Sequence, residues 1–220
     1  MIYNLVRKDV LIVRKYIYFM IVFSFVAPPF LLWNMEPPKS MVNFYASMIF
    51  FLVLFVTVLF LSNSVSLVDE KYQKGCAYLC TTPYSRKQIV TSKYLFSYLV
   101  FIGYCLIYKL SNMVIPKYTA DLSIELVAIS FFGISLFRCI LIPLEFKFGY
   151  EKAKYIITFL IIGTPFIVSM VSENFSFIKI DASYLMEIKN IIIVAGCVAV
   201  LLINILSILI SCHIFESKDL

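Results

Sequence analysis

Apolar runs, broken only by short polar gaps, constrain this chain more than anything else in it. Six of them are long, at about 16–33, 43–65, 94–111, 124–144, 155–171 and 190–212. Each is close to the roughly 20 residues an α-helix needs to cross about 30 Å of hydrocarbon. Their Leu, Ile, Val and Phe come in blocks rather than on one helical face, so lipid explains them better than a buried core does. Hydrophobic residues make up 62% of the chain and charged residues 15%, against roughly a quarter charged in a soluble domain. Strand-length alternation of a membrane barrel is absent. The expected fold is therefore all-α: a single transmembrane domain over residues 1–220, with six membrane helices and no room for a soluble domain.

Residues 1–15 precede the first run. Leu5, Val6, Val10 and Val13 recur at helical spacing among Arg7, Lys8, Arg14 and Lys15. This predicts an amphipathic interfacial helix, apolar face towards the acyl chains and basic residues at the headgroups. A cleaved signal peptide is not expected, because the run reaches Pro28-Pro29 with no small-residue cleavage site. Those prolines are expected to kink or end the first span, and Trp33 to anchor it at the interface. Residues 172–189 form the longest outer segment, where Phe175, Phe177, Ile178 and Ile180 suggest a short surface helix or re-entrant piece.

Basic residues fix the expected orientation. Thirteen of the nineteen Lys and Arg fall on the side holding the N-terminus, the 69–93 and 145–154 loops and the tail. Four fall on the other side, and Lys109 and Arg138 lie within spans. By the positive-inside rule the richer side is cytoplasmic, with both termini inside. The formal charge of +6 thus follows the membrane and does not imply nucleic acid. Lys109 is placed to snorkel. Arg138, one to two turns before Pro143, has two readings: an intramembrane functional charge, or a side chain snorkelling to the cytoplasmic headgroups.

The chemistry missing from the chain narrows its function. There is no phosphate-cradling glycine loop and no deep pair of acids, Ser–His pair or His-rich metal site for an intramembrane enzyme. Cys105, Cys139, Cys197 and Cys212 sit in or beside apolar runs as small hydrophobes. Cys76 and Cys80 fall in the 69–93 loop, on the reducing side, so no disulfide is expected. No catalytic residue, cofactor or metal ligand is assigned. That 69–93 loop is the longest polar interruption, with Lys71, Lys74, Arg86, Lys87 and Lys93, yet it contains the apolar insert Cys76-Ala77-Tyr78-Leu79-Cys80. An apolar insert within a charged loop is expected to bury against something.

Two loops carry a family resemblance. Asp69-Glu70-Lys71, then Thr82-Pro83-Tyr84-Ser85-Arg86-Lys87-Gln88-Ile89-Val90 and Lys93-Tyr94, is similar to the "E-K … LP-x-SR-xx-IV-xx-KY" loop of ABC-2 type permeases. Thr82 stands where those commonly have Leu. Pro143-Leu144 with Lys147-Phe148-Gly149-Tyr150-Glu151-Lys152-Ala153-Lys154 is similar to their proline-then-"KFG-x-xKA" loop. The chain thus resembles the small six-span bacterial membrane subunit of an ABC exporter, of the kind serving cytolytic or antimicrobial peptide export. The resemblance implies a coupling helix between spans two and three, seated on a cytoplasmic ABC ATPase that binds ATP and Mg. The docking residues would be Tyr72, Cys76, Ala77, Tyr78 and Leu79, with Arg86, Lys87 and the Asp69-Glu70 pair as rim charges and Phe148 and Gly149 as a secondary contact. It also implies a second permease copy or a sister permease, membrane lipid around them, and an amphipathic peptide or other hydrophobic cargo. A membrane scaffold or immunity protein acting by contact alone is the competing expectation.

Overall fold

The apolar runs become long helices in the computed structural model, which describes residues 2–35, 38, 41–71, 84–116, 119, 121–156, 158 and 182–217. They are α1 (Ile2–Ile12), α2 (Arg14–Met35), α3 (Val42–Lys71), α4 (Arg86–Val114), α5 (Ile124–Phe148) and α6 (Ala182–Glu216). Residues 150–156 are again helical, and no strand occurs among the described residues. Five of the described helices are long and apolar enough to cross a membrane. Most of the expected 155–171 span, and the 172–181 part of the outer segment, lie outside the described residues.

Local chemistry sets several helix ends. Ser123 caps α5, its Oγ accepting from Leu126 N–H at 3.1 Å, which relieves one of the orphan donors of the first turn. Ser85 and Gln88 form a reciprocal capping box that starts α4 at Arg86, eight residues before the apolar run. The helices outrun the apolar stretches elsewhere too. α3 continues past Val65 to Lys71 and α5 past Leu144 to Phe148. α6 has 35 residues, about 52 Å at 1.5 Å per residue, well beyond the hydrocarbon.

Pro28 and Pro29 do not end α2, which runs on to Met35. Pro29 has no N–H for the carbonyl of Phe25, four residues earlier, and Ser111 on α4 supplies a hydroxyl donor to that carbonyl at 3.0 Å. Pro143 repeats the arrangement in α5. It cannot bond the carbonyl of Cys139, which accepts instead from Ser207 Oγ on α6 at 2.7 Å. At Pro29 and Pro143 a neighbouring helix thus supplies the donor that the proline removes, as lipid-embedded proline requires.

The main core joins α2, α3 and α4, with Phe50, Val53, Leu54, Phe96, Tyr104 and Ile134 of α5 almost fully buried. Phe50 packs edge-on to Tyr108 at 4.6 Å, and Tyr104 donates to the Phe50 carbonyl at 3.1 Å. α5 packs chiefly against α6. A smaller cluster holds Leu5, Ile89, Val90, Tyr94, Ile142, Cys212 and Phe215. It brings α1 onto the start of α4 and the ends of α5 and α6. The apolar face expected to meet the acyl chains turns onto protein instead: Leu5 of α1 and Val13, just past its end, are buried, and Val6 and Val10 are half-buried. The residues α1 leaves exposed are Tyr3, Asn4, Arg7 and Leu11.

Candidate functional site

The polar groups that the sequence places in loops converge at one end of the bundle, where α1, α3, α4, α5 and α6 meet. Asp69, near the end of α3, pairs with Lys93 of α4 and accepts from Lys8 of α1 at 3.3 Å. Lys8 also lies 3.1 Å from Asp9, a carboxylate only 1% exposed. The Asp69 and Lys93 side chains are 19% and 11% exposed, so the charges hold each other in place of water. Such a pair gains little over an apolar one, but loss of either member leaves a costly charge behind. The α3–α4 connection is thereby tied at its base.

Glu70 turns the other way. Its Oε2 accepts from the backbone N–H of Glu151 at 2.9 Å, in the first turn of the helix beginning at 150. Between α5 and that helix stands Gly149, at φ 83° and ψ 163°, a region that only glycine enters freely. A Cβ there would sit 2.8 Å from Glu70 Oε1. Tyr150 follows, its hydroxyl pushed above its usual range by burial and then by the Glu145 and Glu70 carboxylates. The two motifs that carry the family resemblance therefore touch each other.

Arg86 opens α4 and closes α6. Its Nη1 donates to the carbonyls of Phe215 and Glu216, both at 2.8 Å, and its guanidinium lies 5.7 Å from the Phe215 ring centroid. These are the orphan carbonyls of a helix C-terminus, where a cation is favoured. Lys87 reaches Glu216 only at 4.0 Å and is well exposed, a contact of small worth. Phe148 is partly exposed beside Lys147 Nζ at 5.2 Å. Tyr72, Cys76, Ala77, Tyr78 and Leu79, and the expected coupling helix with them, lie outside the described residues.

Deeper in, a polar seam joins α4, α5 and α6. Tyr94 shares hydrogen bonds with Ser207 at 2.6 Å and Ser211 at 3.2 Å, and Tyr98 donates to Asn204 Oδ1. Cys139 Sγ donates to the same oxygen at 3.2 Å. Arg138 sits on this seam, 2% exposed, which corrects the snorkelling alternative: its head is inside the protein. Its Nε and Nη1 have no hydrogen-bond partner among the described residues, nor has Glu145 Oε1. The other Glu145 oxygen accepts from Ser66 at 2.9 Å. Glu145 stands two helical turns beyond Arg138 on the same face of α5.

Sequence reasoning misses this network because it places Asp69, Lys93 and Glu145 in loops, with Asp69 and Glu70 as outward docking charges, whereas the structure turns both acids onto the chain itself. Two signals point the other way. One is the Ser-x-x-Gln capping box at 85–88, which starts α4 early. The other is Lys93, two turns into that helix and facing its partners. No three His, Cys, Asp or Glu residues gather as a metal-binding group among the described residues.

No curated protein and no solved structure matches the chain. Residues 4–216 match the profile of the ABC-2 family transporter proteins, which spans α1 to the last turn of α6. The chain belongs to the ABC-2 transporter family, and it is a multi-pass membrane permease component of an ABC transporter, a transport subunit rather than a catalytic one.

Proposed function

We propose that this permease is the translocating subunit of an ATP-driven exporter in the bacterial plasma membrane. In this reading the basic end of the bundle, both termini and residues 72–83 are cytoplasmic. A separate ATPase binds ATP and Mg and seats on the apolar ridge Cys76-Ala77-Tyr78-Leu79-Cys80. A second copy or a sister permease completes the path. The cargo is an amphipathic or hydrophobic molecule, a peptide first among them, moved between walls rich in Phe and Leu. The exposed Arg7 and Leu11 of α1 meet lipid headgroups at the inner surface.

One observation carries this reading above the rest. In sequence, residues 72–83 join α3 to α4, two helices that Asp69, Lys93 and Lys8 pin together beside that join. A push on that stretch acts at once on α3, α4 and α1, which suits a chain that receives its energy from a partner. The test is a double substitution, Tyr78→Asp with Leu79→Asp. It should abolish co-purification of the ATPase while the chain still inserts and the thermal stability of the bundle is unchanged. Retention of the ATPase by the double variant would remove the docking assignment.

A further inference from the structure

The acids at the end of α3 are adjacent in sequence but tied to different parts of the molecule. Asp69 binds α3 to α4 and α1. Glu70 reaches 81 residues along the chain to Glu151. A helix N-terminus presents unsatisfied N–H groups and a partial positive charge, and no side chain of the local turn at Gly149 can cap it, since glycine has none. The carboxylate of Glu70 takes that position from outside the helix. α5 ends with Gly149 N–H on the Glu145 carbonyl at 2.9 Å, and the next helix opens with Ala153 N–H on the Gly149 carbonyl at 3.1 Å. Gly149 is thus a one-residue joint between two helices, and the space beside it is filled by the Glu70 carboxylate.

We propose that Glu70 is a positioning residue that carries displacement of the 72–83 stretch to the helix beginning at Tyr150. The inference rests on the docking reading above, because that reading supplies the displacement. Glu70 lies two residues before the stretch and holds the first turn of the following helix by a charge-assisted bond. Movement of the α3 end therefore turns that helix about Gly149, and no second contact between the ATPase and residues 145–154 is needed.

The experiment is hydrogen–deuterium exchange on the purified complex of the chain with its ATPase, with and without ATP and vanadate. In the wild-type complex, trapping nucleotide should change exchange both at 72–83 and at 150–156. Glu70→Ala should keep the change at 72–83 and lose that at 150–156. Glu70→Gln, whose amide oxygen still accepts from Glu151 N–H, should retain both. A merely structural cap would raise basal exchange at 150–156 without removing its response to nucleotide. If Glu70→Ala does not assemble, Glu70→Asp is the second variant: it keeps the charge, but its shorter side chain falls short of the Glu151 N–H that Glu70 Oε2 now meets at 2.9 Å and should produce the same selective loss. A wild-type response at 150–156 in Glu70→Ala or Glu70→Asp, or loss of the response in Glu70→Gln, would overturn the link while leaving docking intact. Absence of any ATPase-dependent protection at 72–83 in the wild-type complex would instead overturn the docking reading, and this inference with it.

Discussion

Replacing Ser111 with alanine should destabilise the bundle by about 1 kcal/mol, and the cost should vanish when Pro29 is replaced as well. The Ser111 hydroxyl donates to the Phe25 carbonyl at 3.0 Å, and that carbonyl has lost its ordinary donor to Pro29. Leaving a buried acceptor unpaired costs about 1–3 kcal/mol in water-soluble proteins. Interhelical hydrogen bonds in membranes average about 0.6 kcal/mol, up to about 1.7, because the unfolded chain in lipid also finds partners. The lower range governs here, and about 1 kcal/mol is roughly a fivefold change in the folding equilibrium. Pro29→Ala restores an N–H four residues after Phe25, so the carbonyl no longer needs α4. A double-mutant cycle read by reversible unfolding in mixed micelles should therefore give a coupling energy of about 1 kcal/mol between two residues in different helices. An equal cost for Ser111→Ala in both backgrounds would refute the reasoning, since the serine would then act only by packing.

Three further outcomes follow from the polar end of the bundle. Lys93→Met should cost about 2–3 kcal/mol, because Asp69 then keeps Lys8 alone among the described residues, whereas Lys93→Met with Asp69→Leu should recover at least half of that in the same unfolding assay. Arg86→Met should fray the last turn of α6, seen as at least roughly tenfold faster amide exchange near residue 216, and Arg86→Lys should correct it only in part because a lysine cannot span both carbonyls as well. Arg138→Met should leave the melting temperature unchanged or raise it, since two of its buried donors are unpartnered among the described residues, yet it should lower nucleotide-driven turnover by the complex. A fall in melting temperature worth more than about 2 kcal/mol would make Arg138 a structural residue instead.

Five long apolar helices are legible in the sequence because about 20 consecutive apolar residues suit the interior of a bilayer and little else, and the motif residues around 69–93 and 145–154 point to the family. The extent of the helices is not legible. Charges at Asp69, Lys93 and Glu145 ordinarily mark water, yet each is met by another side chain inside the protein. Pro28-Pro29 reads as a terminus, because the serine that rescues the Phe25 carbonyl lies 86 residues away and no local pattern reveals it. The scattered Ser and Asn of the spans look featureless for the same reason. Ser207 and Asn204 act through partners on α4 and α5. Arg138 is readable as an intramembrane charge, but its direction depends on how α5 packs against α6.

The most direct measurement is to purify the chain from its native membrane in mild detergent and assay the eluate for bound subunits and ATP hydrolysis. The account predicts a stoichiometric ATPase whose hydrolysis responds to the chain and whose binding is lost in the Tyr78→Asp, Leu79→Asp variant. A chain that elutes alone, with no associated hydrolysis under conditions that preserve its fold, would contradict it.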